Sequence, residues 1–245
     1  MDLKGQVAIV TGAGQGMGRG IAEKLSLDGA KVLVVDKNEE GACETAQMLI
    51  AAGGEAAAIK ADISIVSDIK MIFEKCREYF GRTDILVANA SLSYASPLLE
   101  TSEEEYYKVF DINAKGTLFC LREAGWHLND GGRIVVISSS TTRYPNKGMI
   151  LYSATKAAQK LMVEVAALEL AERGITVNSV MPGVTETPAM LEGLPLEFQQ
   201  QIIQKSPFKR LGKPQDIAEV VAFLCSKNSQ WISGQHILAN GGGAI

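Results

Sequence analysis

Short apolar runs alternate with long amphipathic stretches along this 245-residue chain. That alternation predicts an α/β fold, a doubly wound parallel sheet of about seven strands with helices on both faces. Two further observations agree. The apolar runs are nearly unbroken, as in strands covered on both sides. No Pro- or Ser-rich linker, internal repeat or low-complexity segment interrupts the chain, so residues 1–245 read as one domain.

The first strand, Val7–Val10, leads to a helical stretch at Gly18–Leu27, and Lys31–Val35 leads to Glu39–Ala52. Ala56–Ile59 precedes Ser67–Phe80, Ile85–Ala88 precedes Glu103–Ala124, and Arg133–Ile137 precedes Tyr152–Arg173. Thr176–Val180 is followed by helix-like pieces at Leu196–Lys205 and Gln215–Leu224, then by a short strand at His236–Ala239. Thr101 and Ser102 are cap candidates before three acids, which suit the positive end of a helix. Pro214 suits a first helical turn. The proline-containing stretch 184–208 has weak periodicity and reads as a lid or binding loop.

With 47% hydrophobic and 21% charged residues, the chain has the composition of a globular protein with a sizeable core. A net charge of −4 argues against a nucleic-acid partner. No apolar run approaches the ~18 residues that span a bilayer. Met1-Asp2-Leu3-Lys4-Gly5 shows no signal-peptide core, which points to a cytoplasmic location. Cys43, Cys76, Cys120 and Cys225 form no Cys-x-x-Cys pair and read as small hydrophobes in a reducing compartment. His127 and His236 share no segment, so neither a catalytic histidine nor a metal site is expected.

The chemistry begins after the first strand, in Thr11-Gly12-Ala13-Gly14-Gln15-Gly16-Met17-Gly18. Glycines there let the backbone approach a pyrophosphate, and the following helix offers its N-terminus to the anion. Asp36 ends the second strand, where an acid accepts from adenosine ribose hydroxyls and repels a 2′-phosphate. This favours NAD over NADP, although the neighbouring Lys37 blurs the preference. Asp62, beside Ile63, follows the third strand, and Asn89 and Ala90 follow the fourth, all at the carboxyl edge where such sheets bind ligands. Ser138, Ser139 and Ser140 end the fifth strand, where a hydroxyl can polarise a carbonyl oxygen. Tyr152 and Lys156 lie four residues apart, on one helix face. A nearby ammonium favours the phenolate and is expected to lower the tyrosine pKa from about 10.

These motifs together resemble the short-chain dehydrogenase/reductase family from about Lys4 to Gly242. The glycine turn is similar to its cofactor signature, and Asn89-Ala90 to its Asn-Asn-Ala-Gly segment, with Ala88 and Ser91 as departures. Asp111-Ile112-Asn113 carries its helix asparagine. Ser139, Tyr152 and Lys156 match its catalytic residues in order and spacing, with Ser138 and Ser140 as alternatives for the serine. Pro182-Gly183 and Thr187-Pro188 resemble its nicotinamide-side loop. Arg210-Leu211-Gly212-Lys213-Pro214 and Gly241-Gly242 resemble its C-terminal motifs, with Asn240 in place of the usual Asp.

The resemblance implies a Rossmann-type fold and hydride transfer between a nicotinamide and a secondary alcohol or ketone. Tyr152 would move the proton and Ser139 would orient the substrate oxygen. Lys156 would lower the tyrosine pKa and bind the nicotinamide ribose. Asn113 would hold a water leading to Lys156, and Thr187 with the backbone of Thr185 would hold the carboxamide. Gln15 and Met17 complete the expected cofactor contacts. The expected substrate wall is Ser91, Leu92, Tyr94, Thr141, Tyr144, Met149, Met190 and Leu194, mostly neutral or apolar, which suits an uncharged substrate. The alternatives are an NADPH-dependent 3-oxoacyl carrier-protein reductase and a non-catalytic nucleotide-binding regulator. The family commonly forms homotetramers, and apolar residues such as Leu161, Met162, Val165 and Leu168, with the end segment Gly241–Ile245, are candidates for the interface.

Overall fold

The computed structural model describes residues 1–243. In chain order the main elements are β1 (Val7–Thr11), α1 (Gly16–Leu27), β2 (Lys31–Asp36), α2 (Glu39–Ala51), β3 (Ala56–Lys60), α3 (Val66–Phe80), β4 (Ile85–Ala88), α4 (Glu103–Phe110), α5 (Thr117–His127), β5 (Arg133–Ile137), α6 (Ile150–Glu169), β6 (Thr176–Pro182), α7 (Pro188–Gly193), α8 (Leu196–Lys205), α9 (Pro214–Cys225) and β7 (His236–Ala239). The seven strands form one parallel sheet in the order β3-β2-β1-β4-β5-β6-β7. The winding direction reverses between β1 and β4, which opens a crevice beyond their carboxyl ends.

Alternate residues of each strand feed two cores. Ala8, Val10, Val32 and Val34 pack on one face with Ile21 and Leu25 of α1, Leu49 of α2 and Val221 of α9. Val7, Ile9, Leu33 and Val35 pack on the other with Ile72 and Phe73 of α3, Leu121 of α5 and Val163 of α6. Two-sided burial explains why the strands read as unbroken apolar runs. Each large apolar side chain so buried contributes roughly 1.5–3 kcal/mol before entropy is counted. Packing of α1 on α9 is close: a Cβ at Gly20 would stand 2.8 Å from the Pro214 Cβ.

Helix boundaries follow local chemistry. α3 ends at Gly81, whose φ of 77° is left-handed and favours glycine. α4 begins with a capping box, in which Ser102 Oγ accepts from Glu105 N and Glu105 Oε2 accepts from Ser102 N. The single helix expected over Glu103–Ala124 is α4 and α5 joined by a π-helical stretch, Asp111–Gly116. The widened turn lies where Ile63 O presses on the helix, since a Cβ at Gly116 would meet that oxygen at 2.8 Å. The stretch read as a loop also contains α7, started by Thr187, whose Oγ1 accepts from Met190 N, and by Pro188 in the first turn. Among the described residues no helix is long and apolar enough to cross a membrane. Of the expected interface segment Gly241–Ile245, Ala244 and Ile245 lie outside the described residues.

Candidate active site

A cleft of about 310 Å³ opens at the carboxyl ends of β1, β2 and β4. Gly12, Gln15, Gly16, Met17, Gly18, Asp36, Lys37, Asp62, Ile63, Asn89, Ala90, Tyr152 and Thr187 line it, as the sequence predicts, joined by Val35, Ala61, Ile112, Pro188 and Ala189. The glycines are required by close backbone approach. A Cβ at Gly18 would overlap Gly12 O, and one at Gly12 would stand 2.7 Å from Ala90 Cα. Asn89 fixes this corner, donating through Nδ2 to Thr11 O (2.9 Å) and Gly12 O (3.0 Å). Thr11 Oγ1 accepts from the backbone of both Asn89 and Ala90, at 3.1 Å each, a role the sequence reading missed.

The electrostatics suit a dinucleotide. Gln15 supplies no side-chain cap to α1, so the first-turn N–H groups remain available to an anion. Asp36 Oδ2 accepts from Gly14 N (2.9 Å) and Oδ1 from Asn38 N (2.9 Å), which aims the carboxylate along the rim of the glycine turn. Gly14 would otherwise carry a Cβ 2.9 Å from that carboxylate.

Tyr152, Lys156 and Ser139 come together at the inner end. Tyr152 lines the cleft, and Ser139 and Lys156 lie buried behind it. Ser138 Oγ donates to Lys156 O (3.3 Å), while the Ser139 hydroxyl lies on the Tyr152 side and counters part of the rise that burial causes in the phenol. Lys156 Nζ stands 5.5 Å from the Tyr152 ring centre and donates to Ile137 O (2.8 Å). The charge effect differs from the sequence expectation. Burial pushes the Lys156 ammonium down to about 7. Burial also raises the Tyr152 phenol, with the Ser139 hydrogen bond pulling the other way, so desolvation outweighs that hydrogen bond.

Other placements also differ. The Asn113 side chain is fully occupied by protein: Oδ1 accepts from Leu92 N (2.8 Å) and Ser91 Oγ (3.1 Å), and Nδ2 donates to Leu92 O (2.9 Å) and Thr155 Oγ1 (3.1 Å). It ties the Ser91–Leu92 loop to α6. Its backbone oxygen, in the π stretch, accepts from Thr117 Oγ1 (2.7 Å) and from Gln159 Nε2 (2.8 Å), a buried residue with no signal in the sequence. Gly183 and Thr185 line a second cavity of about 250 Å³ between the β6 loop, α8 and α9, because the Val184–Glu186 backbone pairs with Gly212. Pro182 is buried as the last residue of β6.

On the substrate side, Ser91, Leu92 and Ser93 line the cleft. Tyr94 does not, because its hydroxyl donates to Glu105 Oε1 (2.9 Å). Thr141 is buried beside Ser139, Tyr144 packs under Arg143, Met149 bridges to Ser96, and Met190 and Leu194 lie in and just after α7, all outside the cleft lining. Among the described residues there is no cluster of metal-ligating side chains.

Comparison with known proteins places this geometry. Residues 12–243 match a family model described as enoyl-(acyl carrier protein) reductase. An uncharacterized oxidoreductase of Methylorubrum extorquens is 40% identical over 243 residues, covering 98% of each chain. A solved 7α-hydroxysteroid dehydrogenase, complexed with NADH and 7-oxo glycochenodeoxycholic acid, superimposes with a TM-score of 0.95 at 33% identity, over 99% of this chain and 95% of the other. The angucycline C-6 ketoreductase LanV, with bound NADP, superimposes with a TM-score of 0.94 at 36% identity, over 99% and 97%.

Proposed function

This chain belongs to the short-chain dehydrogenase/reductase family of nicotinamide-dependent enzymes acting on CH–OH and keto groups, and on that premise we propose that it interconverts an uncharged, apolar secondary alcohol and its ketone using NAD(H). The observation that carries the proposal is the convergence of Ser139, Tyr152 and Lys156 at the inner end of a glycine-walled cleft. The residues present fit the cofactor: the crowded glycines and the uncapped start of α1 suit a pyrophosphate, and Asp36 suits two ribose hydroxyls better than a 2′-phosphate. Asp62, Ile63, Asn89 and Ala90 would flank the adenosine half, and Thr187 the nicotinamide half. A bound nicotinamide supplies or accepts the hydride at the carbinol carbon.

The chain's own residues handle the proton. Tyr152, kept protonated by its buried setting, gives a proton to the substrate oxygen during reduction. Ser139 holds the same oxygen in place. Lys156, poised near neutrality, returns a proton toward the tyrosine. Asn113 keeps Ser91 and Leu92 in register as one wall of the substrate space, and residues 184–208, with α7 and α8, form its cover. Neighbours named for a steroid and an angucycline support a polycyclic or similarly bulky substrate.

Initial rates with NAD⁺ and NADP⁺ against cyclic, aromatic, steroid and polyol alcohols test this reading. Faster NAD⁺-linked turnover of an apolar alcohol is expected. Tyr152→Phe should retain cofactor binding and lose about a hundredfold to ten-thousandfold in kcat. Turnover with NADP⁺ alone overturns the role of Asp36, and a near-normal Tyr152→Phe rate overturns the proton donor.

A further inference from the structure

The β4–α4 connection contributes Asn89 to Ser93 to the cleft and is pinned twice by the same long helix. The first pin is Asn113, on Ser91 and Leu92. The second is Glu105, in the first turn of α4. Its Oε1 accepts from Tyr94 Oη at 2.9 Å and its Oε2 from Ser96 Oγ at 3.0 Å, while the capping bond from Ser102 N holds the carboxylate at 2.9 Å. Ser96 is buried and passes the restraint on, since its N–H donates to Gly148 O (2.7 Å) and it bridges to Met149, just before α6 and Tyr152.

We propose that Glu105 is a positioning residue for substrate binding, fixing the loop wall against the start of the Tyr152 helix through Tyr94 and Ser96. The inference rests on the oxidoreductase reading above. Hydrogen bonds to an ionised carboxylate are roughly twice as strong as neutral ones, and here they restrain a loop that has no ladder of its own. The Ser102 N–H, then Tyr94 and Ser96, hold the Glu105 carboxyl below the usual carboxylate range, so the anchor stays charged throughout the neutral range. The Lys108 ammonium, 5.7 Å from the Tyr94 ring centre, adds a second contact on the α4 side.

The test joins steady-state kinetics to amide hydrogen exchange. Glu105→Ala should raise KM for the alcohol about tenfold, with kcat within about twofold and cofactor Kd unchanged. Exchange should accelerate in residues 92–101 and 144–149. Tyr94→Phe removes one contact and should move both readouts less, in the same direction. Ser102→Ala loosens the helix cap alone and should leave KM within about twofold. The proposal is overturned if Glu105→Ala leaves KM and loop exchange at wild-type values, or if Ser102→Ala reproduces both effects. If the wild-type protein turns over no alcohol or ketone, the oxidoreductase reading fails, and loop exchange alone decides the role of Glu105.

Discussion

Lys156 shows how a single buried charge shapes both chemistry and stability. Its ammonium has lost water on every side and gained one carbonyl, Ile137 O, which offsets only part of the desolvation. The folded-state pKa, pushed down to about 7, lies below the ordinary lysine value of 10.5. Between these values the unfolded chain binds the proton and the folded chain does not, so stability rises with pH across that window. Lys156→Met should flatten the rise, as measured by denaturant unfolding at pH 7 and pH 9. An unchanged slope would show that Lys156 is not the titrating group. That Tyr152, Lys156 and Ser139 come together at one end of the cleft was legible because their spacing carries a geometric requirement. Their charge balance was not, because sequence spacing says nothing about dielectric surroundings. The Tyr94 contact was not legible for a similar reason: nothing in the spacing announces that Glu105, eleven residues on, holds its hydroxyl.

At the scale of elements, all seven strands lie where their apolar runs predict, and Leu196–Lys205 forms α8 with those bounds. The π stretch at Asp111–Gly116 escaped notice because no local sequence signal marks it, and the nearby backbone of Ile63, whose oxygen a Cβ at Gly116 would meet at 2.8 Å, is a tertiary neighbour. The glycine turn is the element whose geometry was most fully encoded. Gly18→Ala would drive a methyl group into Gly12 O, with Asn89 Nδ2 only 2.6 Å away, so the turn must shift. Cofactor binding should weaken by at least about tenfold while much of the fold survives, since the strain of overpacking is typically 1–3 kcal/mol. Titration calorimetry with NADH measures the first and thermal unfolding the second. Unaltered binding would mean that the turn can relax without disturbing the cradle. The capping box Ser102-x-x-Glu105 is the one sequence signal that could have drawn attention to Glu105, though it announces a helix start and not the loop contacts beyond it.

For the whole molecule, the outer faces of α5 and α6 expose Leu118, Trp126, Leu161, Val165 and Leu168, with Arg122 stacked between Phe119 and Trp126. Apolar exposure on this scale suits contact with another copy. We expect light scattering to give the mass of four 26.2 kDa chains, and Trp126→Glu with Leu168→Glu to give a smaller species. A wild-type monomer at micromolar concentration would refute the assembly. The close seating of Gly20 on Pro214 has a separate consequence during synthesis. α1 is complete at Leu27, yet its α9 partner ends at Cys225. At about 5–20 residues per second, a growing chain carries an incompletely covered α1 face for roughly 10–40 s. The helix that presents the anion-binding turn is therefore among the first made and the last to be covered, and the ribosome-bound chain needs shielding longest at the face behind its cofactor cradle.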